Sequence, residues 1–525
     1  MKKKKALAIF IPVSAVVVTI LILGSIYLSL EVIKCPFEQN LNSIIPTDMG
    51  VDEYKEDFEY FYNMIRDNYP YIAIKERMLG YNWLNLKEMY MERINNCTSN
   101  ADFLEVLTDA IVALQNRHGE VINPAWVPEY RSASLYYDKY PQYLVFSEEV
   151  VEANAYWEDI YNYVMNKKNL SNYEVLMVYD RGKYIVYKGW ADWQTKYNFT
   201  LGSEVLSVNG VPVDEAVKNS FQSSYLVRDF ARNVSYFPYL TPKDFGVNAT
   251  FTLRNVTGEL INAEIYSSTD ITFSSISKKG DIYPTQETMH FGTYDEEKTG
   301  YLYVGGMKSD PKPDKIKLDY FYNQIADFNH LIIYIRGNSG GNDYYWLENI
   351  VGPLLKEKVK STLYHAYKKD GDYLNCWRKE FGVHNRHPKW KLDNLPPEVL
   401  TDEFKLYKLV WDYKPTKQVN FDGEIILLTD WYVCSSSEAF SVFCKQTGFA
   451  TIYGTHTGGD GIGHQVYFAL PNSKLVINMS AAIGLNEDGY ANEEFHTVPD
   501  VYYESAKGNW TELIDFTINN LTRII

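Results

Sequence analysis

The sequence predicts a multi-domain α/β fold: a helical N-terminal part, a β-rich middle and a C-terminal core in which strands alternate with helices. Three observations predict it. Apolar residues recur at spacings of three and four between about residues 47 and 130, short alternating runs fill about 174 to 275, and continuous apolar runs such as "LIIYI" and "EIILLT" are separated by helical stretches between about 295 and 510. Apolar strands that alternate with helices belong to a sheet covered on its faces. With 525 residues, 46% of them hydrophobic, the chain has apolar material for more than one core.

The first element is "MKKKK", residues 1–5, followed by Ala6 to Leu30, a segment with no charged residue. At about 1.5 Å rise per residue it is long enough for a hydrocarbon layer of about 30 Å. A cleaved signal peptide has a shorter apolar region and then a small-x-small site, which does not follow here. The expectation is a transmembrane signal anchor over 6–30, a cytoplasmic basic tail, a linker over 31–46, and the rest of the chain outside the cytoplasm of a single-pass membrane protein. "VIKC" lacks the small residues that a lipoprotein cysteine at Cys35 requires. The five cysteines, at 35, 97, 376, 434 and 444, have neither disulfide-framework nor zinc spacing. A net charge of −16 repels a phosphate backbone, so nucleic acid is not an expected partner.

In the helical part, Tyr54, Phe58, Phe61, Met64 and Ile65 predict a helix from near Asp52, closed at "NYPY" because Pro70 disfavours the α conformation for Tyr69. Ser99-Asn100 opens a second helix with Phe103, Leu104, Leu107, Ile111 and Leu114 on one face and Gly119 as its expected stop. His118 then hangs off the helix end. In the middle, "LGSEVLSVNGVPVDEAVKNSF" reads as a strand, an Asn209-Gly210 turn, a short strand and a helix, a layout that resembles the centre of a PDZ domain. In the core, strands are expected at 301–306, 331–335, 424–429, 450–454 and 475–478.

Two motifs carry chemistry. In "EIILLTDWYVCSSSEAF" a strand gives way to a helix at three serines, and a serine there sits beside unpaired N–H groups at the positive end of the helix dipole. The same residues also fit a simple helix cap, with Glu438 closing a capping box on Ser435. The second motif, "LIIYIRGNSGG", runs a buried strand into a glycine-rich turn whose bare amides are able to approach a substrate carbonyl. It lacks the Gly-Lys-Ser/Thr of a phosphate loop.

Together, "IYIRGNSGG", "LLTDWYVCSSSEAF", "ATIYGTHTGG" (450–459), "EEFHTVPD" (493–500) and "LQNRH" (114–118) resemble, in order, the motifs of the S41 peptidases, the C-terminal processing and tricorn-core proteases. The resemblance spans roughly 50 to 505. It implies a ClpP/crotonase-like peptidase core over 295–510, a helical subdomain over 47–130, a PDZ-like insert over 174–275, and a serine peptidase that acts on polypeptides through an acyl-enzyme. It implies Ser435 as nucleophile, with N–H groups of Ser436 and Gly340 as the oxyanion hole. The processing proteases carry a lysine base where this chain has Asp460, an acid too weak as a base to take its place, and Lys474 is the nearest lysine. The tricorn-like branch uses a histidine with a carboxylate behind it; by position these are His118 and Glu493, with Glu494 one residue away as the alternative carboxylate. His464, after the same glycine-rich loop, is the rival base. No metal or organic cofactor is expected. The alternative is a catalytically silent surface protein of the same fold that binds peptides or apolar ligands.

Overall fold

The computed structural model describes residues 41–42, 46–136, 145–167, 175–189, 193–246, 248–266, 288–369, 378, 382–416 and 419–522. The expected tail at 1–5 and span at 6–30 lie outside the described residues, as do Cys35 and Cys376. Among the described residues no helix is long and apolar enough to cross a membrane. The architecture is mixed α/β with several sheets.

The core is a six-stranded sheet whose spatial order follows the chain: β1 (Met289–Tyr294), β2 (Thr299–Val304), β3 (His330–Tyr334), β4 (Glu424–Thr429), β5 (Thr451–Gly454) and β6 (Val501–Tyr502). β1 runs antiparallel to β2, and all other neighbours are parallel. Every residue of β3 is buried, because Leu331 and Ile333 pack in a cluster with Phe321, Phe440 and Phe443 while Ile332 and Tyr334 pack on the other face with Leu513 and Ile514. Covering both faces explains the unbroken apolar runs. The Arg336–Gly341 turn leaves the carboxyl end of β3 and the loop 430–435 leaves that of β4, the edge at which open parallel sheets bind ligands.

Four of the five expected core strands lie in this sheet. The fifth does not: Val476–Ser480 pairs antiparallel with Gln465–Ala469 on one side and with Glu120–Val121 on the other. Its apolar pattern gives a strand but not a partner. This small sheet shares one hydrophobic cluster with the N-terminal helices, Phe468 and Ile477 packing with Phe58, Phe61, Phe103 and Leu107.

Those helices are α1 (Val51–Asn68), α2 (Ile72–Leu79) and α3 (Asn100–Val112), with a further helix at Lys87–Asn95. Ser99 caps α3, its side chain accepting from Asp102 N–H at 3.2 Å. The helix ends at Val112, well short of Gly119, because Gln115 reverses the chain with φ 53°. The Gln115 side chain holds that reversal: it donates to Phe221 O (2.6 Å) and Ser224 O (2.9 Å) and accepts from Leu226 N–H (2.7 Å). His118 therefore sits in a loop between α3 and the strand Glu120–Val121, fixed from both ends.

The β-rich middle is a seven-stranded antiparallel sheet. Its path runs Leu260–Tyr266, Asn248–Arg254, Glu204–Val208, Lys183–Gly189, Val175–Asp180 and Tyr239–Leu240, and Val211–Pro212 pairs with Glu204–Val208. Asn209 (φ 50°) and Gly210 (φ 78°) make the tight hairpin turn that the dipeptide predicts.

Candidate active site

Ser435 precedes the helix α4 (Ser436–Thr447) with φ 55° and ψ −129°, a region that side chains other than glycine rarely occupy and that costs of order 1–3 kcal/mol. A serine on a strained strand-to-helix turn presents its hydroxyl outward. The hydroxyl makes no cap bond to the helix. Glu438 does not return to Ser435 either: its Oε1 accepts from Asn492 Nδ2 (2.6 Å) and Thr497 Oγ1 (2.7 Å), and burial pushes its carboxyl up. The capping-box reading is thus not what the residues do, and Glu438 instead pins the serine helix to the segment 492–497. Ser437 N–H donates to Cys434 O and Ala439 N–H to Ser435 O, while Ser436 N–H has no acceptor among the described residues.

The glycine turn is strapped to the serine loop by Asp430. Its Oδ1 accepts from Gly337 N–H and from Tyr432 N–H, both at 3.0 Å, and its Oδ2 lies 3.8 Å from Arg336 Nε. Gly340, at φ 104°, then packs directly on Ser435. A Cβ added there would lie 2.7 Å from Ser435 Cβ, 2.8 Å from Cys434 O and 2.9 Å from Ser436 N. The Gly340 N–H donates to Asn338 Oδ1 at 2.9 Å, so one of the two expected oxyanion donors is engaged by a side chain of its own turn.

His118 Nδ1 lies 3.0 Å from Asp460 Oδ2, and the His118 backbone N–H donates to the same oxygen at 3.2 Å. With the proton on Nδ1, Nε2 carries the lone pair and accepts from Gln465 Nε2 at 2.6 Å; the Gln465 amide is oriented by Asn478 Nδ2, which donates to its Oε1 at 3.0 Å. Burial pushes the His118 imidazole down, but the Asp460 charge and hydrogen bond outweigh it and the net shift is upward. Burial likewise pushes Asp460 up, and the charges of His118 and Lys75 with the His118 hydrogen bonds bring it below the usual carboxylate value.

Glu493, the carboxylate expected behind His118, faces Lys75 Nζ from α2 at 2.6 Å. Glu494 is held on the outside by Arg77, Nη2 to Oε2 at 3.0 Å. The carboxylate at His118 is Asp460 instead, because the Gly458-Gly459-Asp460 loop, with Asp460 itself at φ 57°, turns that side chain toward the loop after α3. Lys474 is not among the residues that line the cleft of Ser435; its Nζ sits in a turn against Pro471 O (3.2 Å) and Asn472 O (3.3 Å). His464 lines the same cleft, but its Nδ1 is bonded to Tyr367 Oη, and burial, then the neighbouring His365, hold its pKa well below the ordinary value.

Lys75 balances two buried carboxylates, since Glu493 is 6% exposed and Asp460 1%. Lys75→Met is expected to cost about 3–5 kcal/mol at neutral pH, as removal of one partner of a buried pair does, read as a lower urea midpoint with unchanged slope.

Ser435, Ser436, Gly340, His118, Asp460 and His464 all line one cleft of about 2090 Å³. Four exposed aromatic side chains, Trp126, Tyr344, Trp411 and Tyr432, also face it. The arrangement provides a hydroxyl freed from capping, an imidazole oriented by a carboxylate and an open helix N-terminal N–H. These are the parts of nucleophilic acyl transfer. Asp460 and Gln465 escaped sequence reasoning as partners of His118, and the only signal was the position of Asp460 at the family's lysine.

Residues 298–503 match the family model described as peptidase family S41, and residues 51–111 match that of the tricorn protease C1 domain. The comparison with curated proteins gives no match. Among solved structures, mature CPAF complexed with lactacystin is 12% identical, with a TM-score of 0.51 over 90% of this chain and 99% of that one. Mature CPAF without the compound aligns with a TM-score of 0.50 at 12% identity, over 90% and 98% of the two chains. The photosystem II D1 C-terminal processing protease, 12% identical, covers 87% of this chain and 94% of its own with a TM-score of 0.36.

Proposed function

We propose, for a chain whose residues 298–503 make it a serine-type peptidase of family S41, that Ser435 attacks a polypeptide carbonyl and His118 is the general base. The observation that carries this reading is that Ser435, strained at φ 55° and free of any cap bond, shares a cleft with a histidine whose Nδ1 is held by Asp460. With the Gln465 amide turned away from it on substrate binding, His118 Nε2 takes the serine proton as the Oγ–carbon bond forms and returns it to the leaving amine. Asp460 fixes the tautomer and stabilises the imidazolium. The arrangement is therefore Ser-His-Asp, with Glu493 one step further back on Lys75. Ser436 N–H receives the oxyanion, joined by Gly340 N–H when the substrate oxygen displaces Asn338 Oδ1. The substrate enters as an extended strand, supported by the volume of the cleft, about 2090 Å³, and by the backbone N–H of Ser436 that opens into it.

Residues 47–130 deliver the base, 174–275 form a PDZ-like domain supported by the strand, Asn-Gly turn and helix at 204–219, and 295–510 form the core. The uncharged run at 6–30 after four lysines supports a membrane-anchored enzyme with its catalytic part outside the cytoplasm.

The test is covalent labelling of the purified full-length protein by a fluorophosphonate. Wild type is expected to label at one site. Ser435→Ala is expected to abolish labelling and peptidase turnover, and His118→Ala to slow both by a factor of at least about 10⁴. Labelling that persists in Ser435→Ala moves the nucleophile elsewhere, and a folded wild type that neither labels nor cleaves leaves the peptide-binding alternative.

A further inference from the structure

Arg117, next to the base in sequence, touches the other two segments that carry reacting groups. Its Nη2 donates to Trp431 O at 3.1 Å and its Nη1 to Tyr432 O at 3.5 Å, both in the loop that leads to Ser435. The guanidinium lies over the rings of the same two residues, 5.7 Å from the Trp431 centroid and 5.9 Å from that of Tyr432. On the loop that carries Asp460, the guanidinium rests on Gly458: a Cβ there would be 2.4 Å from Nη1 and 2.9 Å from Cζ. Gly458 is not at a positive φ, so close approach, not backbone conformation, is what this position demands.

We infer that Arg117 is a positioning residue, fixing the nucleophile loop and the Asp460 loop to the base so that Ser435, His118 and Asp460 keep one mutual geometry. The inference rests on the Ser435–His118 reading above. Three facts carry it. Two successive carbonyls of one loop are met by a planar fork, which a lysine ammonium cannot match. Two aromatic rings flank the fork and limit its motion. Because Arg117 adjoins His118 in the chain, any movement of the loop 431–434 relative to the base must break these contacts. Misplacement of reacting groups by about 1 Å costs on the order of 10²-fold in rate, so a clamp of this kind acts on turnover.

Burial lowers the His118 pKa, and Asp460, Glu120 and Glu493, which face it, raise it; a role in position rather than charge requires that the pH midpoint stay where these groups put it when Arg117 is replaced. The experiment measures, in full-length protein between pH 5 and 9, the fluorophosphonate acylation rate and the kcat and KM for unfolded casein in wild type, Arg117→Ala, Arg117→Lys and Ser435→Ala. Arg117→Ala is expected to lower kcat and the acylation rate about 10- to 100-fold with KM within about twofold and the pH midpoint unmoved. Arg117→Lys, which restores one bond to the loop, is expected to recover part of the loss. Acylation of Arg117→Ala at the wild-type rate, or losses that merely follow the folded fraction of each variant, overturn the positioning role while Ser435→Ala stays unlabelled. Labelling that survives Ser435→Ala overturns the reading beneath it.

Discussion

Asp460→Asn is expected to lower kcat by about 10⁴ while leaving the protein folded, the loss that follows when a buried carboxylate behind a catalytic histidine becomes an amide. The cause is the proton on Nδ1. Asp460 Oδ2, 3.0 Å from Nδ1, only accepts, so the imidazole lone pair is at Nε2. An asparagine is able to donate to Nδ1 and so to leave the proton on Nε2, where no base remains. The pH profile changes as well. His118 works as a base only when neutral, and Asp460 raises its pKa above the ordinary 6.5, so the acid limb of kcat/KM in the wild type lies above that value and moves to lower pH in Asp460→Asn. Stability responds in a defined window. His118, raised on folding, contributes fully below 6.5 and loses its contribution as pH rises through its folded pKa; Asp460, lowered on folding, contributes fully above 3.8 and loses its contribution as pH falls through its folded pKa. The destabilisation of Asp460→Asn is therefore largest between about pH 4 and 6.5, measured by urea unfolding across pH. Glu493→Gln is the comparison: it touches Lys75 and is expected to leave the base's tautomer intact. A larger kcat loss in Glu493→Gln than in Asp460→Asn would restore the Ser-His-Glu arrangement.

What the sequence showed and what it hid divide along one physical line. The strands β2 to β5 were readable because burial on both faces writes an apolar run into the chain, and the glycine turn because its residue type is demanded by φ values such as 104° at Gly340. Partnership was not readable. The run 475–478 gives a strand whichever sheet it joins. The histidine's carboxylate is chosen by how three loops meet, which depends on Gln115 reversing the chain before His118 and on Asp460 adopting φ 57°. Glu438 shows the same limit. Its spacing from Ser435 is that of a capping box, yet Asn492 and Thr497, more than fifty residues away, outcompete the local bond. Local chemistry fixes what a residue is able to do, and tertiary contacts decide which of those things it does.

Gly340→Ala is expected to reduce kcat and fluorophosphonate acylation by about 10²–10³-fold, the scale of a lost oxyanion donor, with little change in KM. The added methyl meets Ser435 Cβ at 2.7 Å, Cys434 O at 2.8 Å and Ser436 N at 2.9 Å. Two of these are backbone atoms, which have no rotamer through which to move away, so the turn and the serine loop must separate. The separation acts on the nucleophile and on both oxyanion donors together. Alanine at φ 104° adds backbone strain of about 1–3 kcal/mol, a cost that appears in the melting temperature and is distinguishable from the rate effect. Gly306→Ala supplies the control: it lies one residue before Met307, on which the same turn rests, but its added Cβ meets nothing within 4 Å. It is expected to cleave and label as wild type does. Should Gly340→Ala acylate at the wild-type rate, the glycine turn does not bear on the reacting carbonyl, and the second oxyanion donor has to be sought away from it.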